Sequence, residues 1–149
     1  MDRTASAHWQ GGLKRGAGRI STGSSALQNL PYSFGTRFEG QQGTNPEELI
    51  GAAHAGCFAM ALSGQLEQAG LTAENIDVTA TVKLEKTEAG WTITESHLDL
   101  VARIPGADPA KFEKAARDAK EGCPVSRLLH TRITLNARLE GSAQTGGAH

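Results

Sequence analysis

Net charge is nearly absent from this chain: 15 Lys and Arg stand against 16 Asp and Glu, a formal charge of −1. Without a bulk field of either sign, nothing in the composition draws it to nucleic acid or to an anionic membrane surface, and neither is expected as a partner. Long apolar runs are also missing from the sequence reading. The start, "MDRTASAHWQGG", has no apolar core of signal-peptide length, and no segment reads as the roughly 20 apolar residues that span a bilayer. The expectation is a cytoplasmic protein. There is no internal repeat, and 149 residues suit one domain with a real core. One domain is expected over 1–140. The tail over 141–149, "GSAQTGGAH", has nothing to pack and is expected to be disordered. Cysteine is scarce too: Cys57 and Cys123 are the two present. In a reducing compartment such a pair is seldom a structural staple.

What is there reads as a succession of local signals. The first forty residues are rich in Gly, Ser and Thr. Their short runs "AHWQG", "GRISTG" and "SFGTRFEG", set apart by glycines, predict a small antiparallel meander with Arg37 at the end of an early strand. A helix follows. Asn45 is a suitable cap, Pro46 fits the first position where no N–H is needed, and Glu47 and Glu48 favour the positive end of the dipole. From Leu49 to Leu66 it is apolar or small on nearly every side, with Gly51, Ala52, Ala53, Ala55, Gly56, Ala59 and Ala61, which predicts burial on most faces. Gly70 ends it.

"NIDVTATVKLEKTEAGWTITESHLDLVARIPG" then alternates with a period of two and turns at "TEAG", a hairpin whose second strand has mixed faces near its middle. "GADPAKFEKAARDAKEG" predicts a helix capped by Asp108, opened by Pro109 and closed by Gly122. "CPVSRLLH" is a further short helix and "TRITLNARLE" a final strand. The order of elements is that of an α+β protein.

Three readings of the cysteines are open on residue type alone. A free cysteine is most often a small buried hydrophobe. A metal site could combine His54 and Cys57, three apart on one helix, with Cys123 and His130, although the spacing is not that of structural zinc sites. A redox pair needs a thiolate, a cation to stabilise it and a second thiol to resolve its sulfenic acid. By local physics Cys123 is the more acidic thiol, since it stands at the start of a short helix facing unpaired N–H groups. Cys57 is too far along its own helix for that dipole to help, so its activation needs a cation from elsewhere. Arg37 is a candidate, held by Glu47 through a bidentate carboxylate pair.

The stretches "PYSFGTRFEG", "GTNPEELIGAAHAGCFAMALS" and "GCPVSRLL" resemble the OsmC/Ohr family, collinearly from "AHWQG" to "ITLNARLE". "AAHAGCF" and "GCPVS" favour its OsmC branch, since a tyrosine after the "CP" pair is expected in the Ohr branch. The resemblance implies an OsmC-like α+β fold of antiparallel sheets around a long buried central helix, in an intertwined homodimer whose two sites each draw on both chains. It implies a thiol-dependent reductase of organic hydroperoxides acting in oxidative and osmotic stress. Cys57 would be the peroxidatic thiol, Cys123 the resolving one, Arg37 the thiolate's cation and Glu47 the residue orienting Arg37; the local preference for Cys123 gives way. It implies no bound cofactor or metal, and an external dithiol reductant, either a small molecule or a lipoylated or thioredoxin-like protein. The apolar residues Phe58, Met60, Leu62, Phe34 and Phe38 are candidates for a pocket that prefers organic peroxides. Two other classes stay in view: a non-catalytic dimeric stress or ligand-binding protein, and the His/Cys metal site.

Overall fold

A computed structural model describes residues 1–141. The expectation of disorder over 141–149 falls, from 142 on, outside the described residues. Two compact units are formed, Met1–Leu49 and a second from Ile50 onward.

The first unit opens with an antiparallel sheet in the order β1 (Ala5–Gln10), β2 (Ala17–Thr22), β3 (Leu30–Tyr32). The third expected strand run is not a strand: "FGTRF" forms α1, Phe34–Phe38, and Arg37 sits on it. The cause is a reciprocal cap. Ser33 Oγ accepts from the Thr36 N–H at 3.2 Å while Thr36 Oγ1 accepts from the Ser33 N–H at 2.9 Å, which satisfies two otherwise unpaired donors. The same unit holds the start of α2, Pro46–Gln68. Asn45 caps it as expected, its Oδ1 accepting from the Glu48 N–H at 2.8 Å.

In the second unit α2 continues to Gln68, and Gly70, at φ +79, closes the end in a left-handed conformation that suits glycine. Glu47, Gly51, His54, Phe58, Leu62 and Leu66 are its buried positions, spaced three or four apart along one face. The expectation of burial on most faces is corrected within one chain, because Ala52, Ala53, Gly56 and Met60 on the other side are exposed, Met60 by 78%. A second correction follows. By length and composition this helix is long and apolar enough to cross a membrane, with a mean hydropathy of 1.3. The buried residues Phe58, Leu62 and Leu66 nonetheless belong to the same cluster as the second sheet.

That sheet has the order β4 (Asn75–Thr87), β5 (Gly90–Arg103), β6 (Arg132–Leu139). The β4–β5 hairpin closes on the pair Thr87 and Gly90, at the expected "TEAG". Its pairing shifts between Lys83 and Leu84, so that Glu95 and Ile93 face successive residues of β4 and Thr94 is the extra one. This bulge moves Ile93 to the face of Ser96 and Leu98, which explains the mixed parity read in the sequence. Strand β6 runs parallel to β5, so the second sheet is mixed and not purely antiparallel. A parallel neighbour needs a crossover connection, here α3 (Pro109–Gly122) and α4 (Pro124–Leu128). Leu98, Leu100 and Ala102 of β5 and Leu135, Ala137 and Leu139 of β6 cluster with Phe112, Ala115, Ala116 and Ala119 of α3. Fully burying one Phe or Leu stabilises by about 1.5–3 kcal/mol.

Candidate active site

Cys123 ends α3 and begins α4. Its N–H donates to Ala119 O at 3.0 Å, and its Sγ, 1% exposed, accepts from the Ser126 N–H at 3.4 Å. Pro124 supplies no N–H at the first helical position, so Val125 and Ser126 carry the first free donors of α4. They are divided between two sulfurs: the Val125 N–H meets Cys57, and the Ser126 N–H meets Cys123. The expectation that the helix start would favour Cys123 alone is therefore half of what is found. The two thiols, from α2 and the α3–α4 junction, are neighbours, near enough for Cys123 to act on the proton of Cys57.

Burial pushes the Cys57 thiol above its ordinary range, the Val125 N–H pulls it back, and the Cys123 thiol, by hydrogen bond and charge, pushes it up again. Left to these neighbours Cys57 holds its proton. A thiolate there needs added positive charge.

A buried polar chain adjoins Cys123. Ser126 Oγ lies 3.1 Å from Cys123 Sγ and 2.8 Å from His54 Nε2, and His54 Nδ1 lies 2.7 Å from Ser96 Oγ. His54 and Ser96 are fully buried, and burial lowers the basicity of His54, which keeps the ring neutral. Both ring nitrogens thus have hydroxyl partners, which leaves neither turned to a metal. Among the described residues no group of three or more His, Cys, Asp or Glu is placed to hold one, and His130 is exposed.

In the first unit Arg37 and Glu47 pair bidentately, Nε to Oε1 at 2.8 Å and Nη2 to Oε2 at 3.1 Å. The guanidinium also lies 5.2 Å from the centre of the Phe38 ring. Trp9, Leu13, Tyr32, Phe34, Phe38 and Arg37 line a cavity of about 290 Å³, mostly aromatic with one cationic group.

Residues 39–138 match the family model for OsmC-like proteins. The chain belongs to the OsmC family. It is 51% identical to the peroxiredoxin OsmC of Escherichia coli K12 over 140 residues, 94% of this chain and 98% of that protein. In fold it is similar to the organic hydroperoxide resistance protein OhrB of Bacillus subtilis, with a TM-score of 0.66 and 26% identity over 92% of this chain and 98% of that one. A second solved relative is an organic hydroperoxide resistance protein OsmC from Legionella pneumophila, TM-score 0.67 and 25% identity over 91% and 96% of the two chains.

Of the four residues expected to act in this OsmC-family chain, the structure brings Cys57 to Cys123 and Arg37 to Glu47. Of the expected pocket residues, Phe34 and Phe38 line the aromatic cavity, whereas Phe58 and Leu62 are core and Met60 is exposed. Sequence reasoning did not single out Ser96 and Ser126. Each had a signal: Ser96 stands on the parity of β5 otherwise filled by Leu98, Leu100 and Ala102, and Ser126 lies three residues after Cys123, at the third position of its helix.

Proposed function

We propose that in this chain, a cysteine-based peroxidase of the OsmC family, Cys57 is the thiol oxidised by an organic hydroperoxide and Cys123 the thiol that resolves it. The observation that carries this reading is that the fold brings the Cys123 thiol near enough to Cys57 to act on its proton, with both packed in one cluster. The Cys57 thiolate attacks the peroxide oxygen remote from the alkyl group, in line with the O–O bond. That bond breaks, the alkoxide takes a proton and leaves as alcohol, and Cys57 becomes a sulfenic acid. Cys123 condenses with it to a disulfide and releases water, before a second peroxide can drive Cys57 to the irreversible sulfinic acid. An external dithiol, small or carried by a lipoylated or thioredoxin-like protein, reopens the disulfide by exchange. No bound cofactor enters these steps.

Arg37 supplies the positive charge that Cys57 lacks and meets the departing alkoxide, while Glu47 aims the guanidinium by its two-point grip. The aromatic cavity beside Arg37 suits the organic part of the peroxide. The assembly is an intertwined homodimer in which Arg37 of one copy serves Cys57 of the other. The exposed apolar face of α2, with Ala52, Ala53, Gly56 and Met60, supports a covered interface there. Residues 1–140 act as one OsmC-like domain, a reading supported by a family match over 39–138 that crosses from the first compact unit into the second. The enzyme works in the cytoplasm in peroxide stress, with neither nucleic acid nor membrane as partner.

The test is consumption of cumene hydroperoxide with a dithiol by the wild type, Cys57→Ser and Cys123→Ser. Turnover by the wild type, none by Cys57→Ser, and a stall after about one turnover with overoxidised Cys57 in Cys123→Ser are expected. Equal behaviour of all three proteins would remove the two-thiol reading.

A further inference from the structure

We propose that Ser126 and His54 form a proton relay that ionises Cys123 for its attack on the Cys57 sulfenic acid. Ser126 is the hydroxyl on the thiol and His54 the base behind it. The proposal rests on the reading of Cys123 as the resolving thiol. Cys123 is 1% exposed, so no bulk water adjoins its sulfur to take the proton. What adjoins it is Ser126 Oγ at 3.1 Å, and beyond that His54 Nε2 at 2.8 Å and Ser96 Oγ at 2.7 Å from Nδ1. Burying a histidine and two serines costs desolvation that an apolar filling would avoid, and here the row of donors and acceptors ends on a reacting sulfur.

With the proton of the neutral ring on Nδ1 toward Ser96, Nε2 presents its lone pair to the Ser126 hydroxyl, and Ser126 Oγ can accept from the thiol. As Ser126 hands its proton to Nε2, it takes the proton of Cys123. The result is an imidazolium on His54 and a thiolate on Cys123 that receives the O–H and N–H of Ser126. The thiolate's electron pair then forms the S–S bond, the S–O bond of the Cys57 sulfenic acid breaks, and the departing hydroxide takes a proton to leave as water. That proton is the one stored on His54, handed back through Ser126, so the step ends with a neutral ring, one disulfide and one water. Cys123 sulfur is oxidised as Cys57 sulfur is reduced, and no further oxidant is needed. His54 touches no reacting atom and acts through Ser126, so it is a positioning and relay residue.

The experiment is a single turnover of the reduced full-length protein with one equivalent of cumene hydroperoxide. The reaction is quenched over time, with sulfenic acid trapped by dimedone and disulfide read by mass. Ser126→Ala and His54→Gln are expected to slow conversion of sulfenic acid to disulfide by about 100-fold at about pH 7, with the sulfenic acid accumulating. Ser126→Thr, which keeps the hydroxyl, should stay within about 10-fold of wild type. Raising the pH to about 10 should narrow the gap of Ser126→Ala, because above the ordinary thiol range of about 8.5 ionisation depends less on a relayed base. Cys57 is the other titratable group in contact with Cys123, and its oxidation before the measured step takes it out of that profile.

A wild-type rate in Ser126→Ala, or a deficit equal at both pH values, overturns the relay and leaves a packing role. If His54→Gln does not fold, the comparison of Ser126→Ala with Ser126→Thr decides in the same way. A wild type that forms no disulfide overturns the resolving-thiol reading itself. A fast disulfide in both wild type and Ser126→Ala overturns only the relay.

Discussion

Arg37 and Glu47 meet as full charges, with 37% of the arginine side chain in solvent, whereas His54 and Ser96 are fully buried and lie in a neutral chain with Ser126 and Cys123. The difference follows from what water can share. A guanidinium that keeps part of its hydration can hold charge and present it to a thiolate or an alkoxide. A group with no water around it is held neutral, and what such a chain can pass along is a proton. One arrangement is suited to stabilising charge, the other to moving it.

The largest break in this contrast is expected from Arg37→Met, which takes the charge away and keeps the bulk. Its kcat/KM for cumene hydroperoxide should fall about 100- to 1,000-fold, the usual loss when one electrostatic donor to a developing oxyanion is removed. A fall of less than about threefold in steady-state assays would deny Arg37 that part.

Ser96→Ala attacks the neutral side by leaving His54 Nδ1 buried without its hydroxyl partner. A loss of about 1–3 kcal/mol is expected, visible as a Tm lowered by several degrees. An unchanged melting curve would mean that this end of the chain is not held as described.

Acid should act on the same side. Burial lowers the basicity of His54 in the folded protein, so the unfolded chain takes up the proton first. Stability is therefore intact above the ordinary histidine value of about 6.5. It falls as the pH drops through that value toward the lower folded one, by at most about 1.4 kcal/mol per pH unit for one proton. Urea midpoints measured from about pH 8 to 4 should show this slope in the wild type and a flatter one in His54→Gln.

The smallest effect belongs to the charged side's frame. Asn45 caps α2 through Glu48 N–H and also donates to Thr36 O at 3.2 Å, joining the ends of α1 and α2 that carry Arg37 and Glu47. Asn45→Ala should cost about 1 kcal/mol, or about 2–4 °C in Tm, by calorimetry.

Much of this was legible because the signals are local. Asn45, Asp108 and Gly70 act on backbone groups within a turn of themselves, so the helix limits could be read from short strings. The misread element, α1, had its own local signal, since Ser33 and Thr36 stand three apart as a capping pair. The glycines around "SFGTRFEG" drew the reading toward a strand. The bulge at Thr94 left only a blur of parity, because a bulge is defined by its partner strand. The parallel setting of β6 left no mark at all: alternation has the same period of two in either direction.

The sequence by itself determined the kinds of element, their caps, the presence of two thiols and the motifs that place the chain in the OsmC family. Tertiary structure alone decided which groups meet. Cys57 and Cys123 come from distant helices, and the split of α4's first N–H groups between them depends on how α2 packs beside that helix start. Ser96, His54 and Ser126 lie on a strand and two helices and form a chain because one core excludes water from all three. Hydrogen bonding and desolvation act through space over a few ångströms, and that distance is set by packing and not by order along the chain.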